Sequence, residues 1–270
     1  MVDTLTQCCK MFLLVSLVIV PVLGSPRNCD ADNLSHPGCG VLPTTSTISN
    51  GKPGTYPWMV FLYLLSNASD SFCGGSMISD LQILTAAHCV VGKTTDDIGV
   101  IIGNTNAEEE LKKFNFHILY KIDVNPFFNP NVETMEAIKK NSDVAVLTLE
   151  TAVPLTSSVR PICLPSLSDT SNTYEGETGT VAGWGLKEDG QESADQLLEV
   201  DVPIISNTQC KTFYQWLKRY FPLCLNTFIH SISFLTYSSF HLCTHKQGSN
   251  TGHCKGDSGG PLFIKESDER

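Results

Sequence analysis

The sequence lacks the features of several common protein classes. It has no basic tail, no coiled-coil heptads and no internal repeat, and its 18 Lys and Arg against 28 Asp and Glu give a formal net charge of −10. Proteins that bind nucleic acid neutralise phosphates with clustered cationic side chains, so we expect no nucleic-acid partner. The absence of heptads and repeats also argues against coiled-coil and solenoid folds.

The apolar run near the amino terminus is too short for a transmembrane helix. Residues 11–23 read MFLLVSLVIVPVL, whereas a spanning helix needs about 20 apolar residues. Lys10 precedes this run, and the small residues Gly24 and Ser25 follow it. This layout predicts a secretory signal peptide over residues 1–24, with a signal anchor as the alternative. We therefore expect a secreted, extracellular protein without a membrane span.

Cysteines and glycosylation sequons support the same compartment. The chain contains 11 cysteines, of which Cys8 and Cys9 would leave with the signal peptide. N-x-S/T sequons occur at Asn33 and Asn67. Together with the acidic composition, these features indicate a glycoprotein stabilised by disulfides in an oxidising environment.

The pattern of apolar residues predicts a β-rich fold. Hydrophobic residues make up 41% of the chain, enough for one large domain or two small ones. Between Met59 and Leu149 the apolar runs are short, rich in β-branched residues and interrupted by Gly, Pro, Asn and Asp. Such spacing is typical of a β-barrel or β-sandwich.

Three separate motifs carry residues suited to nucleophilic catalysis. Ser258 lies in CKGDSGGP, and a serine hydroxyl needs a nearby base to become a good nucleophile. His88 in LTAAHC can be that base. Asp143 in SDVAVLTL stands at the head of an apolar strand, where it could orient the imidazole. Each residue alone has an ordinary structural explanation, but the three together indicate a His-Asp-Ser triad.

These motifs, in the order His, Asp, Ser, resemble those of the chymotrypsin-like (trypsin-like) serine endopeptidases. The resemblance runs from about Ile48 to the last residue and includes YPWMV, CGGSMIS, VRPICLP and VAGWG. It implies an all-β fold of two six-stranded antiparallel β-barrels, with the second barrel incomplete at the carboxyl terminus. It also implies hydrolysis of peptide bonds through an acyl-enzyme.

The resemblance assigns a role to each motif residue. His88 becomes the general base, Asp143 its orienting carboxylate and Ser258 the nucleophile. The backbone amides of Gly256 and Ser258 become the oxyanion hole, which stabilises charge in the transition state. No cofactor and no metal ion are expected. The implied partners are protein or peptide substrates, an activating protease and protein inhibitors.

The resemblance also implies a zymogen. Residues 25–47 would form the pro-segment and residues 48–270 the peptidase domain. Cleavage between Thr47 and Ile48 would create an amine that pairs with Asp257, a buried carboxylate that is costly without a partner. Family members are usually cut after Arg or Lys, so Thr47 indicates an activator that accepts a small residue, or no activation at all.

Primary specificity in the family depends on the residue six positions before the nucleophile. This residue is Gly252 here. Enzymes that cut after Arg or Lys normally hold an aspartate there, because a buried cation needs a paired charge. Gly252 therefore predicts a neutral pocket, unless an acidic group comes from another wall.

The resemblance implies a disulfide pattern. It pairs Cys73 with Cys89, Cys210 with Cys243, and Cys39 with Cys163. The last bond would keep the pro-segment attached after cleavage. A further family bridge would join Gly179 to about Ile264, and both of its cysteines are absent. Three cysteines then remain without an assigned partner: Cys29, Cys224 and Cys254.

Two departures from the family pattern leave alternatives open. The resemblance predicts several tens of further residues after Ser258, so we expect little peptidase activity from the 270 residues alone. The stretch from Phe221 to Thr244 has no Lys, Arg, Asp or Glu. It is either an apolar docking loop or the product of an intron read-through or gene-model error that spans residues 221–239. An inactive truncated isoform and a non-catalytic homologue that binds proteins are the alternatives to an enzyme.

Overall fold

The fold consists mainly of β-strands. The computed structural model describes residues 18–19, 39–40, 56–65, 67–103, 106, 116–128, 143–165, 173–185, 196–212, 242–244 and 256–265. The strands are β1 (Val18–Ile19), β2 (Met59–Leu64), β3 (Asn67–Met77), β4 (Gln82–Thr85), β5 (Ile98–Ile102), β6 (His117–Val124), β7 (Ala145–Leu149), β8 (Thr178–Gly183), β9 (Leu198–Ile205), β10 (Cys243–Thr244) and β11 (Pro261–Ile264). The helical segments are the short helix α1 (Ala87–Val90), a 3₁₀ turn (Thr95–Asp97) and residues 207–212. The predicted all-β class is confirmed.

The first half of the molecule is a closed six-stranded barrel. Its strands follow the order β2-β3-β4-β7-β6-β5, and each neighbouring pair is antiparallel. In β7 the side chains alternate between buried and half-buried, as expected of a strand with one face on a core. Several interior side chains are completely inaccessible to solvent: Leu62, Met77, Ile83, Ile98 and Leu147.

The second half is a curved, open sheet of five strands in the order β1-β11-β8-β9-β10. It does not close among the described residues, so the predicted pair of barrels with an incomplete second member is confirmed. Gly179 of β8 lies opposite Ile264 of β11, the two positions where the family bridge is missing. β1, which falls within the predicted signal peptide, pairs with β11 in parallel, whereas the other described pairs are antiparallel.

Aromatic rings join the two halves. Phe263 of β11 packs edge-on against Tyr56 and Trp58, which precede β2, with ring centroids 4.6 and 5.4 Å apart. Trp184, which follows β8, meets Phe61 of the first barrel at 5.5 Å. All five rings are buried. We call this contact, formed by Tyr56, Trp58, Phe61, Trp184 and Phe263, the aromatic seam. It holds β8 and β11 against the closed barrel.

The helices in the described ranges offer no membrane span, since none of them is both long and apolar enough to cross a bilayer.

Candidate active site

His88 and Asp143 form a close pair at one end of the first barrel. His88 lies in α1, directly after β4, and Asp143 lies two residues before β7. Because β4 and β7 are neighbours in the barrel, with Thr85 opposite Ala145, the two side chains meet. The imidazole Nδ1 is 2.7 Å from Asp143 Oδ2, and the backbone N–H of His88 donates to Oδ1 at 2.8 Å. One carboxylate thus holds both the ring and its backbone.

This contact selects a tautomer. A carboxylate accepts hydrogen bonds, so Nδ1 carries the proton and Nε2 is left as an acceptor. The His88 side chain is 38% exposed and that of Asp143 is 22% exposed, so Nε2 can reach a substrate-sized group at the surface. The arrangement is suited to general-base chemistry at Nε2.

Ser258 is presented on a tight, glycine-rich turn that directly precedes β11. Gly256 and Gly259 have φ values of 103° and 80°, which disfavour any side chain. The N–H of Gly260 donates to the carbonyl of Asp257 at 3.0 Å and closes the turn. Ser258 itself is half-buried. The GDSGG motif therefore specifies the backbone conformation that presents the Ser258 side chain.

A disulfide lies between His88 and Ser258. Cys89, bonded to Cys73, has its sulfur 3.6 Å from His88 Nε2 and 3.7 Å from the carbonyl oxygen of Ser258. The nucleophile turn and the histidine are therefore neighbours. The hydrogen bonds among the described residues do not include one from Ser258 Oγ to Nε2. Such bonds are often long before substrate binds, so this does not exclude the pair.

A metal ion is poorly served at this place. Cys73, His88 and Cys89 bring ligand-type atoms within 4.8 Å of one another. Both sulfurs are already joined in the disulfide, whereas a metal would require thiolates. The side chains present therefore fit acyl-transfer chemistry better than metal binding.

Asp257 is buried beneath the turn and contacts the VAGWG segment. Its Oδ1 accepts the N–H of Gly185 at 2.7 Å. A β-carbon on Gly183 or on Gly185 would overlap this carboxylate. Both glycines of GWG are therefore needed to admit Asp257, a requirement that the motif alone does not reveal.

A polar cluster at the boundary between the two halves was not predicted from the sequence. The hydroxyl of Tyr56 donates to Glu199 of β9, and both residues are buried. Lys265 Nζ lies 4.0 Å from Glu199, 3.8 Å from Asp201 and 5.3 Å from the centre of the Tyr56 ring. Burial, followed by the bond to Glu199, raises the pKa of Tyr56 above its ordinary value. A glutamate in a strand of alternating polar and apolar residues is expected to be solvent-exposed, so nothing in the sequence indicated this contact.

The described residues form three disulfides, Cys39–Cys163, Cys73–Cys89 and Cys210–Cys243. These are the same three pairs that the family resemblance implies. Near the first of them, the N–H of Gly40 donates to the carbonyl of Pro161 at 3.0 Å. The short segment 39–40 is thus attached to the first half by a covalent bond and a hydrogen bond.

The remaining predicted site residues are Asn67 and several positions outside the described residues. Asn67 is the first residue of β3. The following positions lie outside the described residues: Asn33, Thr47, Ile48, Gly252, Cys29, Cys224, Cys254 and the segment 221–239.

Comparisons with known proteins agree with this architecture. The family model described as Trypsin matches residues 47–267. A venom serine protease of Bombus ignitus, Bi-VSP, is 31% identical over 256 residues, which cover 88% of this chain and 60% of that relative. The chain thus spans about 60% of the length of the curated relative that it matches. Since the family match covers most of the chain and the strands form the expected pair of barrels, this chain belongs to the trypsin family of serine proteases.

Proposed function

We propose that this chain is a secreted serine endopeptidase, made as a zymogen, that hydrolyses peptide bonds through an acyl-enzyme. The observation that carries the proposal is the contact of Asp143 with both the ring and the backbone of His88. A binding protein has no evident use for a histidine whose ring is oriented so that Nε2 is the acceptor nitrogen. The Ser258 turn packs beside the same histidine, against Cys89.

The proposed reaction uses each group in turn. His88 Nε2 takes the proton of the Ser258 hydroxyl while the oxygen attacks the substrate carbonyl carbon. Asp143 stabilises the imidazolium that forms. The oxyanion accepts hydrogen bonds from the amides of Gly256 and Ser258. His88 then gives its proton to the leaving amine as the peptide bond breaks, and a water molecule repeats the sequence to release the acyl group.

The proposed activation begins with removal of residues 1–24, followed by cleavage between residues 47 and 48. Secretion fits the printed name of the relative, which is a venom protein. The new amine of Ile48 would pair with Asp257, whose carboxylate is already bound by the Gly185 amide. Since Cys39 is bonded to Cys163, the pro-segment would remain attached.

The proposed substrates are proteins or peptides with a neutral residue before the scissile bond. Gly252, at the base of the specificity pocket in the family, supplies no charge to pair with Arg or Lys. An activating protease that accepts Thr47 and protein inhibitors that occupy the active site complete the proposed partners.

A fluorophosphonate probe tests the nucleophile. The Thr47–Ile48 bond is made cleavable by a specific protease, and labelling is measured before and after the cut. Cleaved protein should label weakly, Ser258→Ala should abolish the label, and Ser157→Ala, at an exposed serine, should not change it. Because β1 belongs to the predicted signal peptide, its removal would uncover the edge of β11. A second form, extended after Arg270 with the matching segment of a family member, should therefore label more strongly.

Specificity is tested on the same material with peptide substrates that differ only in the residue before the cut. Neutral residues should be preferred over Arg and Lys. If neither cleaved form labels at Ser258 while both remain folded, the catalytic proposal is wrong, and the non-catalytic binding protein becomes the better description.

A further inference from the structure

Thr85 stands at the junction of the two segments that hold His88 and Asp143. It is the last residue of β4, three positions before His88. On the neighbouring strand β7, its partner is Ala145, which lies two positions after Asp143. Its side chain is completely buried. A buried hydroxyl at this position must find a partner inside the protein.

The partner of this hydroxyl, Gly74, is itself hydrogen-bonded to Ser258. The hydroxyl of Thr85 donates to the carbonyl of Gly74 in β3 at 2.8 Å. The N–H of the same residue, Gly74, donates to the carbonyl of Ser258 at 2.7 Å. One residue of β3 is therefore held by Thr85 on one side and holds the backbone of Ser258 on the other.

The nucleophile turn also packs directly on this hydroxyl. A β-carbon built on Gly259 would overlap Thr85 Oγ1, lie 2.7 Å from the carbonyl oxygen of Gly74 and lie 3.0 Å from the amide nitrogen of Ala86. Gly259 thus leaves no spare space between the turn and the end of β4. A change of shape or polarity at Thr85 would be transmitted to the residue that follows the nucleophile.

We propose that Thr85 is a positioning residue for the reaction, which sets the distance between Ser258 and His88. This inference rests on the proposed function. Ser258 comes from the second half and His88 from the first, so their separation depends on contacts across the boundary. The Thr85–Gly74–Ser258 connection lies within a few residues of both groups. Small misplacements of reacting groups lower rates steeply, by about 100-fold for 1 Å.

The test compares variants of one size and shape. Thr85→Val keeps the volume and removes the hydroxyl, and Thr85→Ser keeps the hydroxyl. Thr244→Val is the matched control, because Thr244 is a buried threonine whose hydroxyl has no hydrogen-bond partner among the described residues. Labelling rates with the fluorophosphonate and kcat and KM for a peptide substrate are measured well below each Tm.

Thr85→Val should lower the labelling rate and kcat by about 10-fold to 100-fold, with KM nearly unchanged. Thr85→Ser should restore most of the rate, and Thr244→Val should leave it unchanged. The pH at which activity rises should stay the same, because the contacts of Asp143 with His88 are untouched. Equal rates in Thr85→Val and the parent would overturn the proposal, as would a lower Tm with no change in kcat.

A second measurement separates this proposal from the assignment of function. Hydrogen exchange reports the Gly74 amide whether or not the protein is active. Thr85→Val should speed exchange at Gly74 by about 10-fold or more while the amides of β7 stay protected. If the parent protein is not labelled at all, the proposed function is wrong. Hydrogen exchange at Gly74 then still tests whether Thr85 holds the backbone of Ser258. Unchanged protection of Gly74 in Thr85→Val would then overturn the connection.

Discussion

The two halves of the molecule build their parts of the proposed active site in different ways. In the first half, His88 and Asp143 come from neighbouring segments of one closed barrel, whose interior side chains are excluded from solvent. In the second half, Ser258 comes from an open sheet with its own small cluster of buried side chains: Val181, Val202, Ile204 and Leu262. Among the described residues, the sheet of the first half has no strand edge, whereas that of the second half has two, at β1 and β10.

This difference indicates where each contact obtains its stability. The His88–Asp143 pair is part of a closed barrel and should persist as long as that barrel is folded. The Ser258 turn depends on the aromatic seam and on Gly74, which belong to the boundary between the halves. Changes at the boundary should therefore affect the nucleophile before they affect the histidine and its carboxylate.

The largest effect is expected from Phe263→Ala in the aromatic seam. Phe263 is completely buried and contacts both Tyr56 and Trp58. Its truncation should cost about 3 to 5 kcal/mol. Because it lies between the halves, hydrogen exchange should rise in β8 and β11 more than in β4 and β7. Equal loss of protection in all four strands would show that the halves unfold only as one unit.

A pair of leucines compares the two cores directly. Leu147→Ala, in the closed barrel, should cost about 4 kcal/mol, and Leu262→Ala, in the open sheet, about 2 to 3 kcal/mol. Both side chains are almost fully buried in the native protein. The open sheet can relax around a smaller side chain more easily than a closed barrel can. Urea denaturation measures both values, and a larger loss for Leu262→Ala would contradict the comparison.

Tyr56 and Tyr63 allow the contribution of a hydrogen-bonded hydroxyl to stability to be compared with that of a buried hydroxyl for which the described residues offer no partner. Tyr56 donates to buried Glu199 at the boundary, whereas the buried hydroxyl of Tyr63, in the barrel, has no hydrogen-bond partner in the part of the chain that the structure describes. Tyr56→Phe should cost about 1 to 3 kcal/mol because Glu199 loses that donor. Tyr63→Phe should change stability by less than about 0.5 kcal/mol. Thermal unfolding at pH 7 tests both, and similar losses would be inconsistent with these contacts.

Tyr63 also predicts a response to alkali in the first half. Burial raises the pKa of Tyr63 to about 12, whereas the pKa of tyrosine in an unfolded chain is about 10. The stability that this difference contributes is present below the unfolded pKa and is lost as the pH rises towards the folded pKa. Tyr63→Phe should reduce the fall of Tm in this range. An unchanged alkaline profile would contradict the assignment.

The smallest effect is expected at His117 of β6. Burial lowers its pKa below the ordinary value of 6.5. The native state therefore binds fewer protons than the unfolded state just below that pH, and stability falls as the pH falls through the folded pKa. In His117→Gln, Tm should fall less as the pH is lowered. The difference from the parent should be smaller than about 2 to 4 °C, which corresponds to about 1 kcal/mol of unfolding free energy. An acid response that is larger in the variant would reverse the sign of this prediction.

The sequence was most informative where short motifs and strand periodicity act locally. The short, β-branched apolar runs between Met59 and Leu149 predicted a β-rich fold, and the six strands of the closed barrel lie in this region. The family resemblance also led to the two-barrel fold. These features depend on alternation along one strand or on a compact motif such as GDSGG, in which neighbouring residues determine the backbone.

The tertiary structure alone decided which distant residues meet. Glu199 reads as an exposed residue of an alternating strand, yet packing against Tyr56 buries it. Thr85 reads as part of the histidine motif, yet it contacts Gly74 and packs against Gly259. Both outcomes depend on how two sheets are placed against each other, which no spacing along the chain specifies. Local propensity selects the strands, whereas burial and the satisfaction of polar groups on assembly determine the contacts between them.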